Sequence, residues 1–272
     1  MINLILALHA EAKPILNCFR LKKDVASRAF EIFSNSDRSI NLIVAGIGKI
    51  NTAATVSYLH QYSQANSATA YLNLGIAGSC HFSVGTIVAA EKITDVVMLK
   101  NYYPAVYLAK QIVHTTVNTF DRPQLQYPEV GVIDMEASAF IQVAMRFVNL
   151  EFIQCAKIIS DCNSNDLQQL TAGRVEQLIA SQLPLIKILV DYLMNLSLTE
   201  SNAINNTIEN VNPEQFQKMW HFTHNELFQL QQLLRRWKIL ESGDAFTFCQ
   251  DAKVAREVIF KLKNHLQQSN FY

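Results

Sequence analysis

The strongest constraint on this chain is an alternation over residues 1–195, where apolar runs of strand length are followed by stretches of helical periodicity. Residues 2–8 (INLILAL) read as a buried strand, and 12–19 as the start of a helix. A second strand over 40–45 leads through Gly46-Ile-Gly-Lys49 into an amphipathic helix over 51–62. A third strand over 70–74 ends at Gly75-Ile-Ala-Gly78. Further strands are predicted over 86–90, 93–98, 111–117 and 152–159, and a helix over 135–147. Residues 167–194 carry a long helical pattern that Pro184, which has no amide hydrogen, kinks or divides. Strands that alternate with helices predict an α/β domain with a mixed central sheet flanked by helices.

The pattern changes near residue 196. Residues 196–212 (LSLTESNAINNTIENVN) are rich in Asn, Ser and Thr, have little apolar periodicity, and read as a linker. Beyond them, 213–237 and 251–266 are helical in pattern. Leucines fall on one face of 227–237 (LFQLQQLLRRW), which carries Arg235 and Arg236 near its end. The expected organisation is an α/β domain over 1–195, a linker over 196–212 and a small C-terminal helical extension over 213–272. That extension is too short for a large core and is expected to pack on the first domain or on a partner.

Composition excludes several function classes. Lysine plus arginine equals aspartate plus glutamate at 23 each, so no net field favours nucleic acid or an anionic membrane. Cys18, Cys80, Cys155, Cys162 and Cys249 are scattered and contain no C-x-x-C pair, which argues against a zinc or disulfide framework. Idle thiols in a reducing cytoplasm are the expectation. The apolar N-terminal run lacks a basic leader and meets Glu11 and Lys13 at once, so it reads as a strand rather than a signal peptide. Lys187 and Asp191 interrupt the best candidate for a membrane span.

Three acids stand at informative places, two of them at the strand ends where an open α/β sheet places its ligands. Glu11 follows the first strand, Glu136 opens a helix, and Asp161 ends the strand Ile158-Ile-Ser-Asp161. Each also has a purely structural reading. A carboxylate after a strand is often a helix cap, and Glu136 could simply complement a helix dipole. Met135 could be core packing, and Gly46 and Gly48 ordinary turn glycines. No phosphate-binding loop of the form G-x-x-x-x-G-K-[ST] is present.

The strings Ala7-Leu-His-Ala-Glu11, Gly46-Ile-Gly-Lys-Ile-Asn51, Gly75-Ile-Ala-Gly78, Asp134-Met-Glu-Ala137 and Ile159-Ser-Asp161 occur in an informative order. Together they resemble the signatures of the nucleoside phosphorylase/nucleosidase superfamily, closest to methylthioadenosine/S-adenosylhomocysteine nucleosidases. The resemblance covers 1–195 and leaves the tail out. It implies a nucleoside phosphorylase-like fold that breaks the bond between ribose and a purine. Asp161 would protonate the leaving base, and Glu11 would orient and deprotonate the attacking water. Glu136 would accept hydrogen bonds from the ribose hydroxyls, with Met135, Ile76, Ala77, Gly78 and Ser160 around the nucleoside. No cofactor or metal is implied. The expected partners are a small-molecule nucleoside and a second copy of the chain, in a cytoplasmic homo-oligomer, with no nucleic acid or membrane.

Some positions depart from the family pattern. Ile76 stands where a serine or threonine is usual, Asp134 replaces a glutamate, and the stretch from Asp95 to Asp134 is short. Phe120 and His114 are candidate pocket residues from that stretch, each with a structural alternative. A phosphorylase needs arginines around a phosphate, and Arg20, Arg28 and Arg38 do not match the family's phosphate positions. Water is therefore the expected nucleophile. A phosphorylase with an unfamiliar phosphate site and a catalytically silent nucleoside-binding protein are the alternatives.

Overall fold

The structure is a computed structural model describing residues 1–105, 112–163, 170–209, 213–241 and 243–268. It divides into two compact units, Met1–Thr199 and Glu200–Tyr272.

The first unit is built on ten strands: β1 (Ile2–Leu6), β2 (Lys22–Lys23), β3 (Glu31–Ser34), β4 (Ile40–Val44), β5 (Ala70–Gly78), β6 (Ile87–Asp95), β7 (Lys100–Tyr102), β8 (Val113–Thr119), β9 (Val132–Asp134) and β10 (Ile153–Asp161). Its helices are α1 (His9–Phe19), α2 (Lys49–Tyr62), α3 (Ala137–Ala144), α4 (Ala172–Ser181) and α5 (Leu183–Glu209), the last running past the division between units. Strands β4, β1, β5 and β10 lie side by side and parallel. Around β5 the sheet closes on itself through β10, β6, β8 and β9, with β10–β6 and β5–β9 antiparallel. The mixed sheet that the alternation predicted is present.

Both faces of the central strands are covered, which is why their sequences read as unbroken apolar runs. Ile2, Leu4 and Leu6 pack with Ala12, Ile15, Val175, Ile179, Leu189 and Leu193. Ile5, Ile43 and Tyr71 face the other way, onto Val56, Leu59, Phe140 and Ile141. Helices α1, α4 and α5 therefore cover one face, and α2 and α3 the other.

Several boundaries differ from the sequence reading. Strand β5 runs through Gly75-Ile-Ala-Gly78 instead of ending there, because those glycines sit in extended register against Lys157–Asp161 rather than in a turn. The two short runs over 86–98 form one strand, β6. Pro184 divides the long helical pattern as expected, and α4 and α5 meet at 63°. Helix α5 then continues to Glu209, across most of the stretch read as a linker, while residues 210–212 lie outside the described residues. Polar residues without apolar periodicity are compatible with a helix, since tertiary context routinely outweighs weak local preference. Among the described residues, no single helix is long and apolar enough to cross a membrane.

The second unit contains α6 (Glu214–Met219), α7 (His224–Leu240), α8 (Ala245–Phe248) and α9 (Ala255–Gln268). Thr223 and Glu226 form a reciprocal capping box at the start of α7. Leu230, Leu233, Leu234 and Trp237 form the buried stripe of α7 and pack with Phe216, Trp220, Val258 and Leu262. Two tryptophans seal this core with their indole N–H groups, Trp220 to Ala252 O at 2.8 Å and Trp237 to Gly243 O at 2.7 Å. The extension thus buries a core of its own, which its length alone did not suggest.

Candidate active site

The ends of β1, β9 and β10 lead to Glu11, Glu136 and Asp161, and β5 contributes Ile76, Ala77 and Gly78, all around one hollow of about 230 Å³. Glu11, Ile76, Ala77, Gly78, Met135, Glu136, Ser160 and Asp161 all line it. These residues come from four separate parts of the chain. The parallel strands β1, β5 and β10 open at one edge, and β9, paired antiparallel with β5 at Gly78, brings Met135 and Glu136 to the same place.

Glu11 is almost fully buried in the first turn of α1. Its Oε2 accepts the backbone N–H of Ala7 at 3.0 Å and of Leu8 at 2.8 Å, and its Oε1 accepts Ile76 N–H at 2.9 Å. Burial pushes its carboxyl above the usual range, opposed by these backbone donors and by the charge of Lys157. A carboxylate has about four lone-pair sites, so three amides leave about one for a water. Gly75 makes this approach possible. A Cβ there would stand 2.8 Å from Glu11 Oε1.

Glu136 precedes α3, and its Oε1 accepts the N–H of Gly48 at 2.8 Å. Gly46 and Gly48 adopt φ of 83° and 98°, values that a side chain would strain. That turn aims the Gly48 amide at the carboxylate. Burial raises the Glu136 pKa to about 7, Lys157 pulls it down, and Asp134 and Glu11 add to the rise. Beneath it, Lys157 Nζ lies 2.9 Å from Asp134 Oδ2, with both side chains out of water. Burial, the largest single effect, would lower the Lys157 pKa, but the surrounding negative groups, Asp134 first, together outweigh it and raise it. The other donors to Asp134 are Thr119 Oγ1 and the amides of Glu136 and Ala137. Asp134 therefore supports α3 and neutralises a lysine.

Asp161 ends β10 after a register shift between Ile159 and Asp161, the kind of local bulge that re-aims a side chain. Its oxygens accept hydroxyl donors from Ser160 and Tyr127. Gly78 serves Asp161 as Gly75 serves Glu11, because a Cβ on Gly78 would meet Asp161 Oδ2 at 2.7 Å.

Ile76 contributes an amide to Glu11 and packs partly into the core, giving the hollow an apolar wall. Met135 lines the same hollow. Phe120 and His114 do not line it. The aromatic side chain there is Tyr127, accompanied by Pro123 and Gln124 on the segment between β8 and β9. That segment has no periodicity, so no sequence signal separated Tyr127 from other loop aromatics.

No protein-family model and no curated protein matches the sequence. Solved structures do match the fold. The chain is similar to a 5'-methylthioadenosine/S-adenosylhomocysteine nucleosidase from S. pneumoniae, at 17% identity and a TM-score of 0.54, over 71% of this chain and 98% of that one. It is similar to Arabidopsis thaliana 5'-methylthioadenosine nucleosidase, at 13% identity and a TM-score of 0.57, over 71% and 95%. It is also similar to futalosine hydrolase of Helicobacter pylori strain 26695, at 14% identity and a TM-score of 0.53, over 70% and 97%. The α/β part of this chain therefore has the fold of these nucleosidases and hydrolase.

Proposed function

We propose that this protein is a purine nucleosidase, hydrolysing the N-glycosidic bond of a purine nucleoside or of a 5'-substituted one such as methylthioadenosine or S-adenosylhomocysteine. The observation that carries this reading is the convergence of Glu11, Glu136 and Asp161 on one hollow. Cleavage leaves positive charge on the ribose and negative charge on the base. Asp161 hands a proton to the base, so that the leaving group departs neutral. Glu11, pinned by three amides, keeps one lone pair for a water and removes its proton as the water attacks. Glu136 accepts the ribose hydroxyls, and its negative charge favours the developing ribosyl cation. The division of labour among the carboxylates parallels that of glycosidases, with nitrogen as the leaving atom.

Among the described residues, no lysine or arginine lines the hollow, which favours water over phosphate as nucleophile. We further propose a cytoplasmic homo-oligomer. Scattered cysteines without a C-x-x-C pair support the compartment. Exposed Ile47, Ile50, Val97, Met98 and Leu99, on either side of the Lys49–Asp95 ion pair, support self-association.

The test is to incubate the protein with adenosine, inosine, methylthioadenosine and S-adenosylhomocysteine, with and without phosphate, and to follow free base. Release that is indifferent to phosphate is expected. Strict dependence on phosphate, or no release from any substrate, would overturn the reading.

A further inference from the structure

At the Asp161 end of the hollow, the space beside Gly78 is taken by the ring of Tyr127. A Cβ placed on Gly78 would stand 2.6 Å from Tyr127 Cε1 and 2.7 Å from Asp161 Oδ2. The phenol donates its O–H to Asp161 Oδ2, while Ser160 Oγ donates to Oδ1. Both oxygens of the proposed acid are thus turned toward hydroxyl groups of the protein itself. A carboxyl that protonates a leaving base must have one oxygen within hydrogen-bond reach of that base, and the Tyr127 ring stands beside Oδ2.

The two hydroxyl donors differ in their freedom to leave. Ser160 is buried within β10, beside Asp161. Tyr127 is only half-buried and sits on residues 120–131, between β8 and β9. The ends of this segment are fastened. Phe120 N–H donates to Asp134 O at 2.9 Å, and Ser79 Oγ donates to Gly131 O at 3.0 Å. Around Tyr127 itself, Leu125, Gln126 and Glu129 are exposed. The hollow, at about 230 Å³, is smaller than the roughly 300–1,000 Å³ of ordinary small-molecule sites. The Tyr127 ring lines it beside Asp161, at the end where a base would lie.

Resting on the nucleosidase reading, we propose that Tyr127 is a displaceable occupant of the base subsite and sets its affinity. It holds Asp161 Oδ2 while the site is empty, and an incoming purine pushes it aside and takes over the carboxyl. Each binding event then costs the Tyr127–Asp161 hydrogen bond.

The probe is free adenine, titrated by calorimetry into the wild-type protein and into Tyr127→Phe and Tyr127→Ala variants. Tyr127→Phe keeps the ring and removes only the donor, so adenine is expected to bind about tenfold more tightly, equivalent to about 1.4 kcal/mol. Tyr127→Ala removes the occupant altogether and is expected to bind at least as tightly as Tyr127→Phe. Equal or weaker binding by Tyr127→Phe would overturn the proposal while leaving the nucleosidase reading intact. Weaker binding by Tyr127→Ala than by wild type would make the ring a stacking wall and also overturn it. If none of the three proteins binds adenine, although each unfolds cooperatively in urea, the nucleosidase reading falls and this proposal with it.

Discussion

Gly78 and Asp161 face each other across the β5–β10 pairing so closely that a single methyl group on the glycine would stand 2.7 Å from the Asp161 carboxyl. Gly75 stands in the same relation to Glu11, at 2.8 Å. The two ends of one sequence motif therefore make room for two different carboxylates, one on each side of the hollow.

Replacing either glycine by alanine tests that relationship. Neither has a positive φ, so the backbone tolerates the change; at Gly75 the cost falls on the Glu11 carboxyl, and at Gly78 on both the Tyr127 ring and the Asp161 carboxyl. Gly78→Ala and Gly75→Ala are expected to lower turnover at least a hundredfold, because misplacing a reacting group by an ångström costs about that much. Circular dichroism is expected to stay native. Wild-type turnover in either variant would show that the close approach has no catalytic consequence.

The acids themselves separate by role. Glu11→Gln and Asp161→Asn keep shape and remove proton transfer, and each is expected to reduce kcat by about 10²–10⁴ with the fold intact. Glu136→Gln weakens an acceptor for the sugar and is expected to raise KM as well. Steady-state kinetics on whichever substrate releases base would check all three. Full activity in either of the first two variants would remove that residue from the chemistry.

Lys157 is the only cation paired with Asp134 among the described residues, and both lie out of water. Lys157→Met would leave the Asp134 charge buried and uncompensated, which costs about 3–5 kcal/mol. Urea denaturation is the measurement. Asp134→Asn in the same background is expected to recover part of the loss, whereas a single variant as stable as wild type would refute the account.

Stability should also depend on pH in a defined direction. Burial lifts Glu136 from an ordinary value of 4.5 to about 7, and Glu11 is lifted as well. Between about pH 4.5 and 7 the folded protein keeps protons that the unfolded chain has released, so stability falls as pH rises through that window. For Glu136 the loss is on the order of 2–3 kcal/mol, at about 1.36 kcal/mol per pH unit. Chemical denaturation at pH 5 and pH 8 should show that loss in the wild-type protein and a smaller one in Glu136→Gln. Identical slopes for the two proteins would contradict it.

The local signals and the tertiary facts divide along clear lines. Apolar runs such as Ile2–Leu6 and Ile153–Asp161 specified buried strands, because a strand covered on both faces has no polar side to show. Glu11 and Asp161 were visible because each follows or closes such an element, and a strand's carboxyl end is where an α/β sheet places its ligands, whereas Glu136 was visible only as an acid opening a helix. By itself the sequence could not say that Gly75 and Gly78 are spacers inside a strand rather than a turn, since that depends on which carboxylate lies opposite. Nor could it pick out Lys157, which reads as an interruption in an apolar strand until Asp134 arrives from β9 to neutralise it. Tyr127 was equally hidden. Its place beside Asp161 follows from how residues 120–131 cross the sheet edge, and contacts between segments distant along the chain leave no periodic trace in either one. Hydrophobic spacing thus determined the layers, while the pairing of buried charges and the filling of the site were decided only when the strands closed around β5.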